Sequence, residues 1–208
     1  MQNCFTVALL PLLATVTTTT ATLPSSAIAP SYSIIKEFET EKTAIREVAI
    51  PKPKEKRLIC KGCNEHENAT LVYFQERGIR DRNALATIMG NIKQESMFVP
   101  NICEGGSRTS YYNCGRGYGL IQFTSASRYY GLGAFAKKIG GNPSTADTQL
   151  RYITTEPQWK SIENRMRVSG KSIDRYMNYA YEWIGWGHHG ARTQYAYDYA
   201  KRLVLADV

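Results

Sequence analysis

The sequence predicts a mainly α-helical domain, and three features of the chain from residue 58 onward support this. Apolar residues recur at helical intervals in the stretch 82–96, and capping residues and glycines punctuate the segments that follow. No long stretch alternates apolar and polar residues as a half-buried strand would. Short connections between such helices are typical of a compact bundle.

The first two helices are predicted from their end signals. Residues 67–78 form a helical segment with Asn68 as a possible cap and Gly78 as the terminator. Asp81 then precedes 82–96, where apolar residues fall at helical spacing. Asp81 is therefore predicted to cap the second helix.

The rest of the chain is predicted as an irregular segment followed by helices. Residues 99–117 are rich in Asn, Gly, Ser, Cys and Arg, which predicts an irregular loop or a small hairpin. Thr124 or Ser125 can start a helix that Gly140 and its neighbour Gly141 end. Further helices are predicted at 145–155, 158–167, 172–185 and 190–204.

Composition divides the chain into three parts. Residues 1–29 contain a short apolar run and end in the small-x-small form Ala27-Ile28-Ala29, which predicts a removable export signal. A leader that is not cleaved and a virion-type tail are the alternatives. Residues 30–57 read as a flexible or weakly helical linker, and residues 58–208 as the folded domain.

The cysteine count agrees with export. The chain has five cysteines, and cleavage after Ala29 would remove Cys4. The four that remain are Cys60, Cys63, Cys103 and Cys114. An even number predicts disulfides, without deciding the pairing. Reduced thiols and a zinc site, with CKGC at 60–63 and His66 nearby, are the other interpretations.

The formal net charge is +8, which favours polyanionic partners such as nucleic acid, anionic lipid or a bacterial cell wall. The basic residues are scattered and do not form one surface interleaved with aromatic residues. We therefore expect no nucleic-acid binding. No motif in the chain calls for a cofactor.

Helical geometry places Glu95 on the inner side of the second helix. At about 100° per residue, Glu95 shares a stripe with Ala84, Ile88 and Ile92. Partial burial and the negative end of the helix dipole both raise the pKa of a carboxyl group. A carboxyl that stays protonated near neutral pH is suited to general acid catalysis. The alternative is a structural glutamate, whose methylene groups pack in the core while its carboxylate reaches water or bonds to a neighbouring residue.

A second polar patch follows at 116–128. Gln122 and Thr124 offer amide and hydroxyl groups to a sugar, and neighbouring aromatic residues could form the floor of a binding site. Those aromatic residues are Tyr118, Phe123, Tyr129 and Tyr130. The alternative is that residues 118–123 form a buried strand in which the Gln122 amide is hydrogen-bonded within the fold.

The two patches together resemble the lysozyme-like superfamily of peptidoglycan hydrolases. ESMFVPN at 95–101 is similar to the Glu-Ser-x-Phe-x-Pro element of goose-type lysozymes and soluble lytic transglycosylases, and YGLIQF at 118–123 to their Gly-Leu-x-Gln element. The likeness is greatest to bacteriophage tail-associated lysozymes and endolysins. It extends loosely through 148–156 and 187–201 and covers roughly residues 65–205.

The resemblance implies a lysozyme-like helical domain that cleaves the β-1,4 bond between N-acetylmuramic acid and N-acetylglucosamine. It implies that Glu95 is the general acid and later the base. Ser96, Tyr118, Gln122 and Thr124 are expected to bind substrate. Hydrolysis by two carboxylates needs a second one, and the candidates are Glu104, Asp147 and Glu182. The segment from Cys103 to Cys114 departs from the family pattern.

Three other functions stay open on the sequence. They are a lytic transglycosylase that uses the same glutamate, a non-catalytic virion or wall-binding module, and a zinc-stabilised binding domain. The expected partner is bacterial peptidoglycan, with membrane contact only through the leader and a monomeric state. We expect export to the periplasm or the extracellular side of the host, or a place in the virion. Trp183 and Trp186 are interpreted as core residues that could also stack on sugars, and His188 and His189 as polar turn residues.

Overall fold

A computed structural model describes residues 55–207 of the chain. The predicted export signal at 1–29 and nearly all of the predicted linker at 30–57 lie outside these residues. The described part contains seven α-helices and one small two-stranded sheet, so the prediction of a mainly α-helical domain is confirmed. None of its helices has the length and apolar character that crossing a bilayer requires.

The helices follow the predicted order, and each bound lies within two residues of the predicted one. They are α1 (Glu65–Glu76), α2 (Arg82–Ser96), α3 (Ala126–Ile139), α4 (Ala146–Ile153), α5 (Pro157–Arg167), α6 (Ile173–Ile184) and α7 (Arg192–Arg202). A single 3₁₀ turn, Tyr111–Asn113, lies within the segment predicted to be irregular. That segment otherwise contains only isolated bridges, Ile102 with Arg108 and Cys103 with Tyr118, which confirms the irregular loop.

The helix caps agree with the sequence at α2 and α3 but not at α1. The Asp81 side chain accepts hydrogen bonds from the backbone N–H groups of Asn83 and Ala84, and Ser125 caps α3. At α1 the cap is Asn64, which forms a capping box with Glu67. The prediction of Asn68 was wrong because the helix starts earlier, at Glu65. The Asn64 side chain there accepts a hydrogen bond from the Glu67 N–H, which has no partner within the helix.

The two strands were not predicted. Strand β1 (Lys56–Cys60) pairs antiparallel with β2 (Leu203–Asp207), so residues 56 and 57 of the predicted linker belong to the sheet. Helix α7 ends at Arg202, not at residue 204. The side chain of Gln75 bonds both the N–H and the carbonyl of Leu58 and so fixes β1 against α1. Each strand has five residues, too few for alternation to stand out in the sequence.

All four cysteines of the described region form disulfides, Cys60 with Cys63 and Cys103 with Cys114. The prediction of a disulfide framework is therefore confirmed. The zinc interpretation of CKGC was wrong, because two cysteines joined to each other supply no thiolate to a metal. Residues 55–207 hold no group of three or more His, Cys, Asp or Glu side chains that could bind a metal ion.

Helix α2 forms the centre of the core. Ala84, Ile88 and Ile92 are all fully buried, as the helical stripe predicts. On another side α2 packs closely on α7 at Gly90. A Cβ atom at Gly90 would lie 2.6 Å from the backbone nitrogen of Ala196 and 2.8 Å from the carbonyl oxygen of Arg192. Only a residue without a side chain fits between these two helices.

We therefore expect Gly90→Ala to destabilise the protein by about 2 kcal/mol, since overpacking a rigid contact outweighs the gain in helix propensity. Urea unfolding followed by circular dichroism measures the change. Gly115→Ala is the matched control, because a Cβ there meets no atom within 4 Å. Equal stability of the two variants would contradict the close contact.

Candidate active site

Glu95, in the last turn of α2, lines a cleft of about 660 Å³. The turn at 121–125 and the first residues of α3 form one side of this cleft. The end of α6, the loop after it and the start of α7 form the other. The lining residues are Glu95, Ile121, Gln122, Thr124, Ser125, Arg128, Gln158, Glu182, Trp183, Ile184, Gly185, Trp186, Gly187, His188 and Arg192.

The carboxyl group of Glu95 is largely shielded from water and paired with an arginine. Its side chain is 14% exposed, and Arg192 Nη2 lies 2.6 Å from Glu95 Oε1. Burial raises the pKa of Glu95, while Arg192 and, more weakly, Arg128 oppose the rise. The net pKa is above the ordinary value of 4.5, because burial is the largest influence.

Arg192 is held in place from two sides. Its guanidinium lies over the ring of Trp186, 4.7 Å from the ring centre, and its Nη2 reaches Glu95. The side chain is 5% exposed, and its Nε and Nη1 atoms are buried with no hydrogen-bond partner among the described residues. Next to it, the Ala191 N–H donates to Gln94 Oε1. Adjacent residues of α2 thus bind the start of α7.

Gln122 and Thr124, which are expected to bind substrate, line the cleft together with Glu95. Gln122 has a left-handed backbone (φ 49°), and its Nε2 donates to the carbonyl oxygen of Gly119. The Thr124 hydroxyl donates to the carbonyl oxygen of Gln122. Local hydrogen bonds thus fix the backbone of the turn that carries Gln122 and Thr124.

Two residues expected to bind substrate lie inside the fold instead. Ser96 and Tyr118 are buried and do not line the cleft. The Ser96 hydroxyl lies 2.9 Å from the carbonyl oxygen of Leu120 and joins the end of α2 to the following turn. The Tyr118 hydroxyl lies 2.9 Å from the carbonyl oxygen of Thr109. Both residues support the site rather than face it.

The buried side chain of Gln149 also supports the turn. Gln149 Oε1 accepts a hydrogen bond from the Leu120 N–H, and its Nε2 donates to the carbonyl oxygens of Pro100 and Pro143. Three separate loops therefore meet at one amide group. An amide can do this because it both donates and accepts.

Only one of the three candidate second carboxylates shares the cleft with Glu95. Glu182 lines the cleft, and its carboxylate accepts a hydrogen bond of 2.7 Å from Arg165 Nη1. This bond lowers the pKa of Glu182. Glu104 and Asp147 do not line the cleft. Glu104 lies near the N–H of Gly117, and the side chain of Asp147 is exposed.

The aromatic lining differs from the predicted floor. Trp186 is half-buried in the cleft wall, whereas Trp183 reaches the cleft but is buried against Trp159. The predicted floor residues Tyr118, Phe123, Tyr129 and Tyr130 do not line the cleft. Of the two histidines, His188 is a lining residue and His189 is not.

Arg128 brings a second cation to the cleft. Its Nε and Nη2 atoms donate to the two carboxylate oxygens of Glu156, at 2.7 and 2.8 Å. Glu156 is buried, so this two-point bond fixes the guanidinium at the wall. Sequence reasoning missed both Arg128 and Arg192, because no local pattern shows which basic residue meets a distant carboxylate.

A mainly helical domain with a largely buried glutamate that lies at a helix end and lines a cleft has the architecture of lysozyme-like proteins. The sequence model of one family, phage tail lysozyme, matches residues 65–203. The chain belongs to the phage tail lysozyme family. It is therefore a lysozyme-like enzyme that acts on peptidoglycan, in the virion or at the cell wall. Neither a search of curated proteins nor one of solved structures found a match.

Proposed function

We propose that the protein is a muramidase in which Glu95 is the general acid for cleavage of the β-1,4 bond between N-acetylmuramic acid and N-acetylglucosamine. The observation that supports this most is the largely buried Glu95 carboxyl, with its raised pKa, at the wall of a cleft. A raised pKa increases the protonated fraction near neutral pH, and general acid catalysis needs the protonated form.

In the proposed reaction the Glu95 carboxyl gives its proton to the glycosidic oxygen. The bond between this oxygen and the sugar C1 breaks, and its electron pair stays on the leaving oxygen. Positive charge then develops at C1 and the ring oxygen. Water adds to C1, and the Glu95 carboxylate accepts the proton that the water loses. Glu95 ends each cycle protonated, as it began.

The other cleft residues are suited to hold an acetamido sugar. Gln122 and Thr124, which carry an amide and a hydroxyl group, line the cleft. Trp186, half-buried in the opposite wall, offers an aromatic surface for the apolar side of a sugar ring. We propose that these three residues bind the sugar next to the scissile bond.

The state of Glu182 supports a second candidate, a lytic transglycosylase. Its carboxylate is bound by Arg165, which leaves Glu95 as the one buried carboxyl among the cleft residues described. In this reaction Glu95 again protonates the glycosidic oxygen. The C6 hydroxyl of the muramic acid then attacks C1 and transfers its proton to Glu95, which gives a 1,6-anhydro sugar. Water takes no part in this step.

Mass spectrometry of digested peptidoglycan distinguishes the two reactions. We expect fragments with reducing N-acetylmuramic acid ends, each heavier by one water than its anhydro counterpart. Anhydro-muramyl ends in place of these would identify the lytic transglycosylase. If the protein binds walls but releases no soluble fragments, it is a binding module and the enzymatic proposal fails.

We also propose that residues 1–29 direct export and that the enzyme works as a monomer outside the cytoplasm or from the virion. The short apolar run at 4–16 and the Ala27-Ile28-Ala29 site support the export signal. The two disulfides of the described region agree with an oxidising compartment.

A further inference from the structure

A second concave surface lies apart from the Glu95 cleft. Two depressions of about 610 and 390 Å³ share Asn101 and Ser144, and none of their lining residues lines the Glu95 cleft. We call the combined surface the Tyr112 groove. The lining residues that matter below are Asn101, Arg108, Thr109, Ser110, Tyr112 and Ser144.

The groove presents polar side chains that the fold itself does not use. Tyr112 is 80% exposed although it is a large aromatic residue. Its hydroxyl makes no hydrogen bond within residues 55–207, and the same holds for the side chains of Asn101, Thr109 and Ser110. Arg108 makes no ion pair in this part of the chain. By contrast, the arginines around the Glu95 cleft, such as Arg128, Arg165 and Arg192, are all paired.

The backbone beneath these side chains is fixed. The disulfide between Cys103 and Cys114 closes the loop that contains residues 108–112. The Thr109 N–H donates to the carbonyl oxygen of Asn101, and the Tyr111 N–H donates to Ser144 Oγ. The buried ring of Tyr111 also stacks on Tyr129, with 4.4 Å between the ring centres. Binding a ligand therefore costs little conformational entropy in this loop, because its backbone is already ordered in the folded protein.

The chemistry of the groove matches an N-acetylated polysaccharide. An exposed tyrosine ring packs against the apolar side of a sugar, as aromatic residues do in binding sites. Amide and hydroxyl side chains can bond the acetamido and hydroxyl groups of the same ring. The free guanidinium of Arg108 can bond the carboxylates of the attached peptides. Peptidoglycan contains all of these groups on one polymer.

We propose that the Tyr112 groove is a second, non-catalytic binding site for the glycan strands of peptidoglycan, and that it keeps the enzyme on its insoluble substrate. This inference rests on the substrate of the family and not on the role of Glu95. A second contact on one polymer raises the local concentration of substrate at the cleft, because the strand and the enzyme stay together after the first contact.

Nuclear magnetic resonance titration of the ¹⁵N-labelled protein with the hexamer of N-acetylglucosamine tests the proposal. We expect the backbone amide signals of residues 108–112, 141, 142, 144 and 145 to shift with the hexamer, separately from those of the Glu95 cleft. Tyr112→Ala should weaken the binding measured at the groove signals by about 5-fold, since it removes the aromatic contact. Tyr130→Ala is the matched control, because Tyr130 is 70% exposed but lines neither depression.

Three results would overturn the proposal. The hexamer could shift only cleft signals, or Tyr112→Ala could bind at the groove as well as Tyr130→Ala does. The groove signals could also respond to poly(glycerol phosphate) and not to the hexamer, which would make the groove an anion site. The Glu95 proposal is tested separately. If Glu95→Gln keeps full activity while the groove signals still shift, the proposed catalytic role of Glu95 is wrong and the proposed binding site in the Tyr112 groove is supported.

Discussion

Replacement of Glu95 by Gln is expected to lower the rate of peptidoglycan solubilisation by at least about 100-fold, which is the smaller end of the usual contribution of a general acid. The amide has nearly the same shape as the carboxyl and still accepts a hydrogen bond from Arg192, but it has no acidic proton to give the glycosidic oxygen. The decrease in turbidity of purified cell walls measures the rate directly.

The fold of this variant is expected to be intact, with a melting temperature lowered by only a few degrees, because the amide oxygen can still bond the Arg192 guanidinium. Glu163→Gln is the control. It also removes a carboxylate paired with an arginine, Arg167, but on α5 and away from the cleft. Full activity of Glu95→Gln would remove Glu95 from the mechanism. An equal loss of activity in Glu182→Gln would identify Glu182 as the second carboxylate of a hydrolase, acting together with Glu95.

The position of Glu95 could be predicted because it depends on one helix. The phase of α2 alone places Glu95 in line with Ala84, Ile88 and Ile92, and all three are buried. Gln122 and Thr124 could be placed at the site from their amide and hydroxyl groups and from the likeness of YGLIQF to the family motif. Helix phase thus decides the first feature, and residue chemistry indicates the second.

Tertiary contacts decide the features that sequence reasoning missed. Arg192 meets Glu95 because Gly90 lets α7 approach α2 closely, and no pattern within either helix shows this. Ser96 and Tyr118 were expected in the cleft. A polar side chain in a motif can face a substrate or a backbone carbonyl inside the fold, and its residue type does not distinguish the two. The β1–β2 pairing likewise joins the two ends of the described region.

The Arg192–Glu95 pair leads to the second large expected effect, in Arg192→Met. Methionine keeps most of the side-chain length but removes the cation that lowers the pKa of Glu95, so this pKa should rise further. The acid must be protonated to act, and activity is lost as the pH rises through its pKa. The alkaline limb of the activity profile should therefore move to higher pH. The maximal rate should fall by about 10- to 100-fold, because the carboxyl loses the group that orients it.

The pH dependence of activity distinguishes an effect of Arg192 on the pKa of Glu95 from a role in packing alone. The other charged or titratable cleft residues around Glu95, namely Arg128, Glu182 and His188, are unchanged in the variant. Arg192→Lys keeps the positive charge and should move the limb less. Arg165→Gln removes an arginine paired with Glu182 and should leave the limb in place, unless net charge alone controls it. A lower rate with an unmoved limb would mean that Arg192 only packs against Trp186. A moved limb would mean that the cost of burying the Glu95 carboxyl and the attraction of Arg192 together set the pH range of the enzyme.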